Sequence, residues 1–410
     1  MHIECINGSP IVDTLDHLPR LPLWVRYTPT ITRPTEQDEL AIYHALPQHD
    51  RVRNIELVLV PSILHKAVSL MAGHFPMLKY LRLSFESTTV PDKNSPPLTL
   101  PKAFLAPKLY DLDLSGVRLP KRLRLLISTV SLDTLKLKNI QTSNYFRPRL
   151  LVARLAFLPK LRYLVITFSV PIPRPSTERE LLGEQGALVT LPSLNIMVFK
   201  GVGAYLESLV AQIRVPLLGK LGITLFNQIA FPLPHLSNLV KITELIKSEL
   251  PRYPRARVEF SHDGVAVRMA YHSSLLYHTG SFVLKVMCKQ LDWQISCVAQ
   301  ICNQLVPTLS GVKELVLKCD HDFQIPTALE TGAIDETAWH ELLRSFTGLT
   351  YLNINKGLLE ELSRALQVGE VGLDPGFLPN LGCISTDPDL KLFTSFVDAR
   401  QIAGRPVKLF

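Results

Sequence analysis

What this 410-residue sequence lacks most plainly is a catalytic signature. It contains no G-x-S-x-G, no H-E-x-x-H and no P-loop, so the chemistry those spacings serve has no support here. Cysteine is scarce. The six residues stand at positions 5, 288, 297, 302, 319 and 383, with no C-x-x-C pair. That scatter speaks against a disulfide frame and for reduced intracellular thiols, in the cytoplasm or nucleus. There is no run of about 18 uncharged apolar residues, so a membrane-spanning helix is not expected. The opening Met-His-Ile-Glu-Cys-Ile-Asn has no apolar core of a secretory signal. Acidic side chains are nearly missing from one stretch. Between Gly116 and Tyr163 eleven basic residues accompany a single acid, Asp133, within a chain of formal charge +8. These absences favour a protein that is not an enzyme and needs no cofactor or metal.

What is present is a recurring apolar spacing. Leu109-Tyr110-Asp111-Leu112-Asp113-Leu114 has apolar residues at its first, fourth and sixth places. The spacing appears upstream at Val52–Leu57 and Leu78–Leu83. It recurs at Leu132–Leu137, Leu161–Ile166, Leu194–Phe199 and Leu218–Ile223, then at Val312–Leu317 and Leu349–Ile354. A tenth copy, Leu381–Ile384, has Thr386 in the sixth place. This is the L-x-x-L-x-L core of a leucine-rich repeat, whose period is about 20–29 residues. The interval of 94 residues between Leu218 and Val312 has room for about three degenerate copies. The last two apolar positions alternate on a strand and share one face, which a single repeat cannot bury. Stacked neighbours bury it together. Apolar–proline pairs precede the leading apolar residue at Phe75-Pro76, Ala106-Pro107, Leu158-Pro159, Leu191-Pro192, Val215-Pro216 and Leu378-Pro379. Proline disfavours helix at and before its own position, so each pair predicts the end of a return helix and the start of a strand.

The expected fold is therefore α/β: an irregular leucine-rich-repeat solenoid with a parallel sheet on its concave face and helices and irregular connections on the convex one. A single solenoid would cover 1–410, with an N-terminal capping segment over 1–50, degenerate repeats over 240–310 and a C-terminal cap over 386–410. Leu23–Tyr27 reads as a strand. Thr35 reads as a helix N-cap before Glu36, Asp38 and Glu39, with Leu40, Tyr43 and Leu46 as the buried stripe. Pro61-Ser62 opens a helix burying Ile63, Leu64, Val68 and Met71. His262-Asp263-Gly264 between Val258–Phe260 and Val265–Met269 signals a hairpin, and Phe282–Cys288 a further strand. A helix is expected over Asp292–Val306, carrying Trp293, Val298, Ile301 and Leu305 and stopped by Pro307. Another is expected over Asp335–Phe346, with Trp339, Leu342, Leu343 and Phe346 inward. Ser87–Pro101 and Pro171–Glu180 are loops. The second reads equally well as a protruding contact and as a long connection.

Candidate chemistry is thin. Cys319-Asp320-His321-Asp322 holds metal-ligand residue types but has no second cluster at ligand spacing, so it reads as a polar loop. Gly201-Val202-Gly203 stands before a helix, where a phosphate could bind. It lacks the third glycine of a dinucleotide site and reads as a tight turn. Recognition is better supported. The side chains flanking the inward ones are the expected partner-binding set. From the early strands these are Glu56, Arg82, Ser84, Asp113 and Ser115. The later ones add Lys136, Lys138, Thr167, Lys200 and Thr224. A basic segment adds Arg118, Lys121, Arg122, Arg124, Arg147, Arg149 and Arg154. It reads as a solvated charged face or as a site for an acidic partner, with nucleic acid or anionic lipid as further readings.

Several stretches carry a resemblance. They are Cys5–Asp13, Thr35–Leu40, Pro61–Lys66, Gln141–Arg154, Pro171–Leu182, Lys200–Glu207 and Gly404–Val407. On these the chain resembles the F-box/leucine-rich-repeat proteins of mushroom-forming fungi over nearly its whole length. In that family the F-box binds the adaptor of a cullin–RING ubiquitin ligase and the repeats capture a target. No L-P-x-E-[IL] helix set stands before Ile11. The resemblance thus implies a recognition solenoid for a protein partner. A role as substrate receptor of an SCF-type ligase would require an F-box supplied from outside this sequence.

Overall fold

The computed structural model describes residues 3–5, 21–28, 34–86, 98–119, 124–141, 146–171, 187–245, 254–270, 282–320, 336–366, 377–386 and 390–410. Most of the two expected loops, and His321 and Asp322, lie outside these residues. The chain divides into two compact units, Met1–Gly201 with Gln212–Leu218, and Val202–Ala211 with Gly219–Phe410.

The first unit is an open parallel sheet with helices between its strands. In chain order its elements are β1 (Ile3–Cys5), β2 (Leu23–Tyr27), α1 (Glu36–Ala45), β3 (Val52–Leu59), α2 (Pro61–Ser69), β4 (Tyr80–Phe85) and β5 (Asp111–Ser115). There follow α3 (Arg124–Ser128), β6 (Thr134–Ile140), α4 (Pro148–Leu155), β7 (Tyr163–Phe168), β8 (Val189–Thr190) and β9 (Ile196–Gly201). The strand order is β1-β2-β3-β4-β5-β6-β7-β9, and every neighbouring pair is parallel. The helix α5 (Gly203–Val210) belongs to the second unit. The chain then supplies β10 (Ile213–Arg214), which pairs with β8 in a small parallel sheet of the first.

The repeated spacing explains these strands. Leu81, Leu83, Leu112 and Leu135 are fully buried, and Leu114 and Leu137 nearly so, while the alternate residues Arg82, Ser84, Asp111, Ser115, Lys136 and Lys138 stay half-exposed and Asp113 is buried. Burying each leucine stabilises by roughly 1.5–3 kcal/mol. The proline pairs do something more specific than stop helices. α4 ends three residues before Leu158. Each pair instead starts a hydrogen-bonded turn, in which the leading leucine's N–H donates to the carbonyl of the residue before proline. The distances are 3.4 Å at Phe75–Leu78, 3.1 Å at Ala106–Leu109 and 3.2 Å at Leu158–Leu161. They are 3.3 Å at Leu191–Leu194, 3.2 Å at Val215–Leu218 and 3.1 Å at Leu378–Leu381. Proline fixes φ at the second turn position, where this geometry needs it.

Thr35 caps α1 as expected. Its hydroxyl accepts the Asp38 N–H at 3.2 Å and the Asp38 carboxylate accepts the Thr35 N–H at 2.9 Å. The buried stripe differs from expectation. Leu40 is 52% exposed and Tyr43 half-buried, and the inward face is Asp38, Ala41, Ile42, Ala45 and Leu46. The capping carboxylate fixes the helix phase and turns Leu40 outward. α2 buries Ile63, Leu64, Ala67 and Val68, with Met71 just beyond it.

The second unit contains α5, β11 (Lys220–Phe226), α6 (Pro234–Leu245), β12 (Arg255–Ser261), β13 (Gly264–Ala270) and β14 (Phe282–Met287). It continues with α7 (Leu291–Gln304), α8 (Val306–Leu309), β15 (Glu314–Cys319), α9 (Glu336–Arg344) and β16 (Tyr351–Ile354). It ends with α10 (Leu359–Ala365), β17 (Cys383–Thr386), α11 (Thr394–Ile402) and β18 (Lys408–Leu409). The strand order β11-β14-β13-β12-β15-β16-β17-β18 breaks sequence order. The expected hairpin forms, with β13 antiparallel to both β12 and β14. Within the 240–310 stretch, expected as degenerate repeats with a hairpin, β12, β13 and β14 form a set of three strands that runs against sequence order. Gly264 (φ +152°) makes the hairpin feasible, because a Cβ there would stand 2.0 Å from the Val286 carbonyl oxygen. Pro307 does not stop α7. That helix ends at Gln304, and Pro307 lies in the first turn of α8. Trp293 faces outward at 47% exposure, whereas Trp339, Leu342, Leu343 and Phe346 are buried. Among the described residues neither unit's strands close into a barrel, and no helix is long and apolar enough to cross a membrane.

Candidate recognition surface

Parallel register places one repeat's outward residues beside the next. Across β2, β3, β4, β5 and β6 the row reads Arg26, Glu56, Arg82, Asp113, Lys136, and it continues through Val165 on β7 to Val198 on β9. The charges alternate in sign. Glu56 bridges Arg26 at 3.1 Å and Arg82 at 2.9 Å. Lys138 reaches Asp113 at 2.9 Å, and Lys136 stands 4.0 Å from Asp111. The Lys136 ammonium also lies 5.5 Å from the centre of the Tyr163 ring. Such pairs hold long side chains in fixed positions on a half-exposed face. Burial pushes the Asp111 carboxyl up, with Lys136 pulling the other way.

The neighbouring row, Val58, Ser84, Ser115 and Lys138, has two small polar residues at its centre. A bulge at Asn139 (φ +52°) then shifts the register between β6 and β7. Asn139 tolerates the left-handed conformation. Its N–H donates to the Thr167 hydroxyl at 3.1 Å and its amide to the Ser115 hydroxyl at 2.8 Å. Thr167 sits beside Lys200. All of the expected set except Thr224 thus shares the first unit's sheet. Thr224 is on β11 of the second unit, beside Lys285. Arg26, Asp111 and Tyr163 join the surface although the sequence reading did not place them there. β2 lacks the leucine spacing, so only register could reveal Arg26.

The described residues of the basic segment lie on several elements. Lys136 and Lys138 are neutralised on the sheet. Arg147 is the N-cap residue of α4, which carries Arg149 and Arg154. Arg118 bridges back to Thr99. Lys121 and Arg122 lie outside the described residues, as does the Arg124 side chain. Phe146 is half-buried, and Tyr145 is outside the described set.

The second unit's sheet has its own charge cluster. Glu259 accepts from Arg257 at 3.2 Å and from Arg268 at 2.6 Å, and these two arginines stand directly opposite each other. Burial pushes the Glu259 carboxyl up, but the two arginines outweigh it and hold it below the usual range. Lys285 pairs with Asp263 at 2.7 Å.

The other candidates resolve into structure. The Gly203 N–H donates to the Gln228 side-chain oxygen at 3.1 Å, so a side chain occupies the helix start where a phosphate would bind. A Cβ at Gly201 would meet the Phe199 and Phe168 rings at 2.7 and 2.9 Å, which accounts for that glycine by packing. Cys319 is buried at the end of β15 and Asp320 exposed, so they face different surroundings. Among the described residues no three His, Cys, Asp or Glu side chains form a metal-binding group. A groove of about 330 Å³ is lined by Gln228, Ile229, Asp292, Trp293, Ser296, Cys297 and Gln300. Beside the Cys297 thiol its lining carries one further ionisable side chain, Asp292. Neither a comparison with protein-family models nor one with curated proteins gives a match for this chain.

Proposed function

We propose that this chain is a non-catalytic leucine-rich-repeat scaffold that recognises another protein through the outward rows of its first unit's sheet. The observation that carries the reading is the cross-strand ladder Arg26–Glu56–Arg82, Asp113–Lys138 and Asp111–Lys136. It is a half-exposed polar face whose side chains are held in place before any partner arrives, which lowers the ordering cost of binding. Copies of one apolar spacing on successive parallel strands support the repeat reading. The resemblance to fungal F-box/leucine-rich-repeat proteins adds that the captured protein would be a ubiquitin-ligase target. Nucleic acid is disfavoured on this face because Arg26, Arg82, Lys136 and Lys138 each have an acidic partner.

The test blocks the face without breaking its ion pairs. Ser84→Arg with Ser115→Arg adds bulk at the small centre of its neighbouring row, and Arg149→Ala on α4 serves as control. Cross-linking in lysate of the native species, read by mass spectrometry with the cullin–RING adaptor among the proteins scored, should recover a partner with wild type and with the control. The double variant should lose that partner while keeping its melting temperature. Equal recovery with all three chains would sink the proposal.

A further inference from the structure

We propose that the first unit carries a second surface, a cationic rim along the N-terminal ends of β3 to β7, that takes an acidic segment of a partner protein. The rim is built by a backbone relay. The Lys79 N–H donates to the Arg53 carbonyl at 2.8 Å, Tyr110 to Lys79 at 2.8 Å, Asp133 to Tyr110 at 2.9 Å and Arg162 to Asp133 at 2.8 Å. Arg53, Lys79, Tyr110, Asp133 and Arg162 therefore stand in one row, one per strand. At about 4.8 Å per strand the row spans roughly 19 Å. About six extended residues cover that length. The proline turns add a parallel row just outside it, because Lys108 follows Pro107, Lys160 follows Pro159 and Met77 follows Pro76. The Lys108 ammonium lies 3.9 Å from the Met77 sulfur.

The contrast with the sheet face decides the argument. There each cation of the ladder has an acid. On the rim Arg53, Lys79, Lys108 and Lys160 make no ion pair with any described residue, and all but the half-buried Arg53 are exposed. Arg162 is paired to Asp133 and donates to the Tyr110 hydroxyl at 2.9 Å. Among the described residues Asp50, exposed in the turn before β3, and Asp111, half-buried directly after Tyr110 and 4.0 Å from Lys136, are further acids nearby. Four cations without an ion pair to a described residue are thus lined up where neighbouring strands repeat the position. An acidic peptide fits better than nucleic acid. Asp133 interrupts the row, so a continuous phosphate backbone would meet a like charge, whereas a peptide can place a neutral or apolar residue there. Met77 and Tyr110, 38% and 46% exposed, give such a residue something to pack on.

The test uses the full chain and a fluorescent peptide of about ten residues, mostly Glu and Asp with two Phe, long enough to span the row. A Gln/Asn version and a single-stranded DNA of similar charge serve as comparisons. The acidic peptide should bind, and binding should weaken with added salt. Lys79→Glu, Lys108→Glu and Lys160→Glu together should weaken it at least about tenfold with an unchanged melting temperature. The three Gln substitutions give an intermediate loss and guard against a charge-reversal variant that misfolds. Ser84→Arg with Ser115→Arg should leave peptide binding intact, so failure here and failure of the sheet-face reading are separable. No binding to wild type, binding unchanged by both triple variants, or tighter binding of the DNA overturns the rim.

Discussion

Glu207 is a buried carboxylate that serves as a cap. It is 2% exposed on α5, and its two oxygens accept the His235 N–H at 2.8 Å and the Leu236 N–H at 3.0 Å in the first turn of α6. Burial pushes its carboxyl above the usual range even though both N–H groups pull it down. The folded chain therefore holds this proton more tightly than the unfolded one. Its contribution to stability is full at low pH and is lost as pH rises from the ordinary glutamate range through the raised value. Glu207→Gln should remove that pH dependence, leave one buried N–H unpaired and cost about 1–3 kcal/mol, as read by urea unfolding at several pH values. A second residue-scale test concerns Asp113 and Lys138. Lys138→Glu would set a carboxylate against the 8%-exposed Asp113 side chain. It should cost about 1–3 kcal/mol, and the exchanged pair Asp113→Lys with Lys138→Glu should recover part of that loss in a double-mutant cycle. Neither site is visible in sequence. Glu207 is 28 residues from His235, and Lys138 is 25 residues from Asp113.

At the scale of elements, the turn before each strand is the unit that repeats. Leu158 is fully buried at the start of its turn, and Pro159, exposed, fixes the next φ. Leu158→Ala should cost about 2–5 kcal/mol through lost burial and a cavity. Pro159→Ala should cost only about 0.4–1 kcal/mol, mainly by freeing the unfolded chain. Denaturant midpoints of the two variants check the ranking, and equal costs would mean the proline carries a native contact beyond φ. Strands were legible because they rest on local spacing, and the fourth position of each of the ten leucine-type copies lies on a strand, whereas the proline pairs read as helix stops and prove to be turns. The phase of α1 was not. Apolar period alone chose Leu40, while the Thr35–Asp38 cap rotated that face outward.

At the scale of the molecule, core positions of successive strands are stacked in register, as in Leu83–Leu114–Leu137–Ile166. Leu137→Asp puts a charge into that stack, where burial without a partner is prohibitive. Hydrogen exchange should then show protection lost together across β4 to β7, and loss confined to β6 would mean the repeats are uncoupled. The sequence by itself determined the mixed α/β class, the mostly parallel strands, the turns and the inward leucines. Each follows from periodicity within about ten residues, which side-chain alternation and proline geometry enforce locally. Only the tertiary structure decided the order β11-β14-β13-β12-β15, because the turn His262-Asp263-Gly264 signals the β12–β13 hairpin but no local spacing pairs β13 with β14 or β12 with β15. It alone also decided which charges are spent. Whether a lysine is neutralised depends on the residue one strand away and two dozen or more positions distant. Register therefore sorted cations scattered from Arg26 to Arg162 into a paired sheet face and a largely unpaired rim.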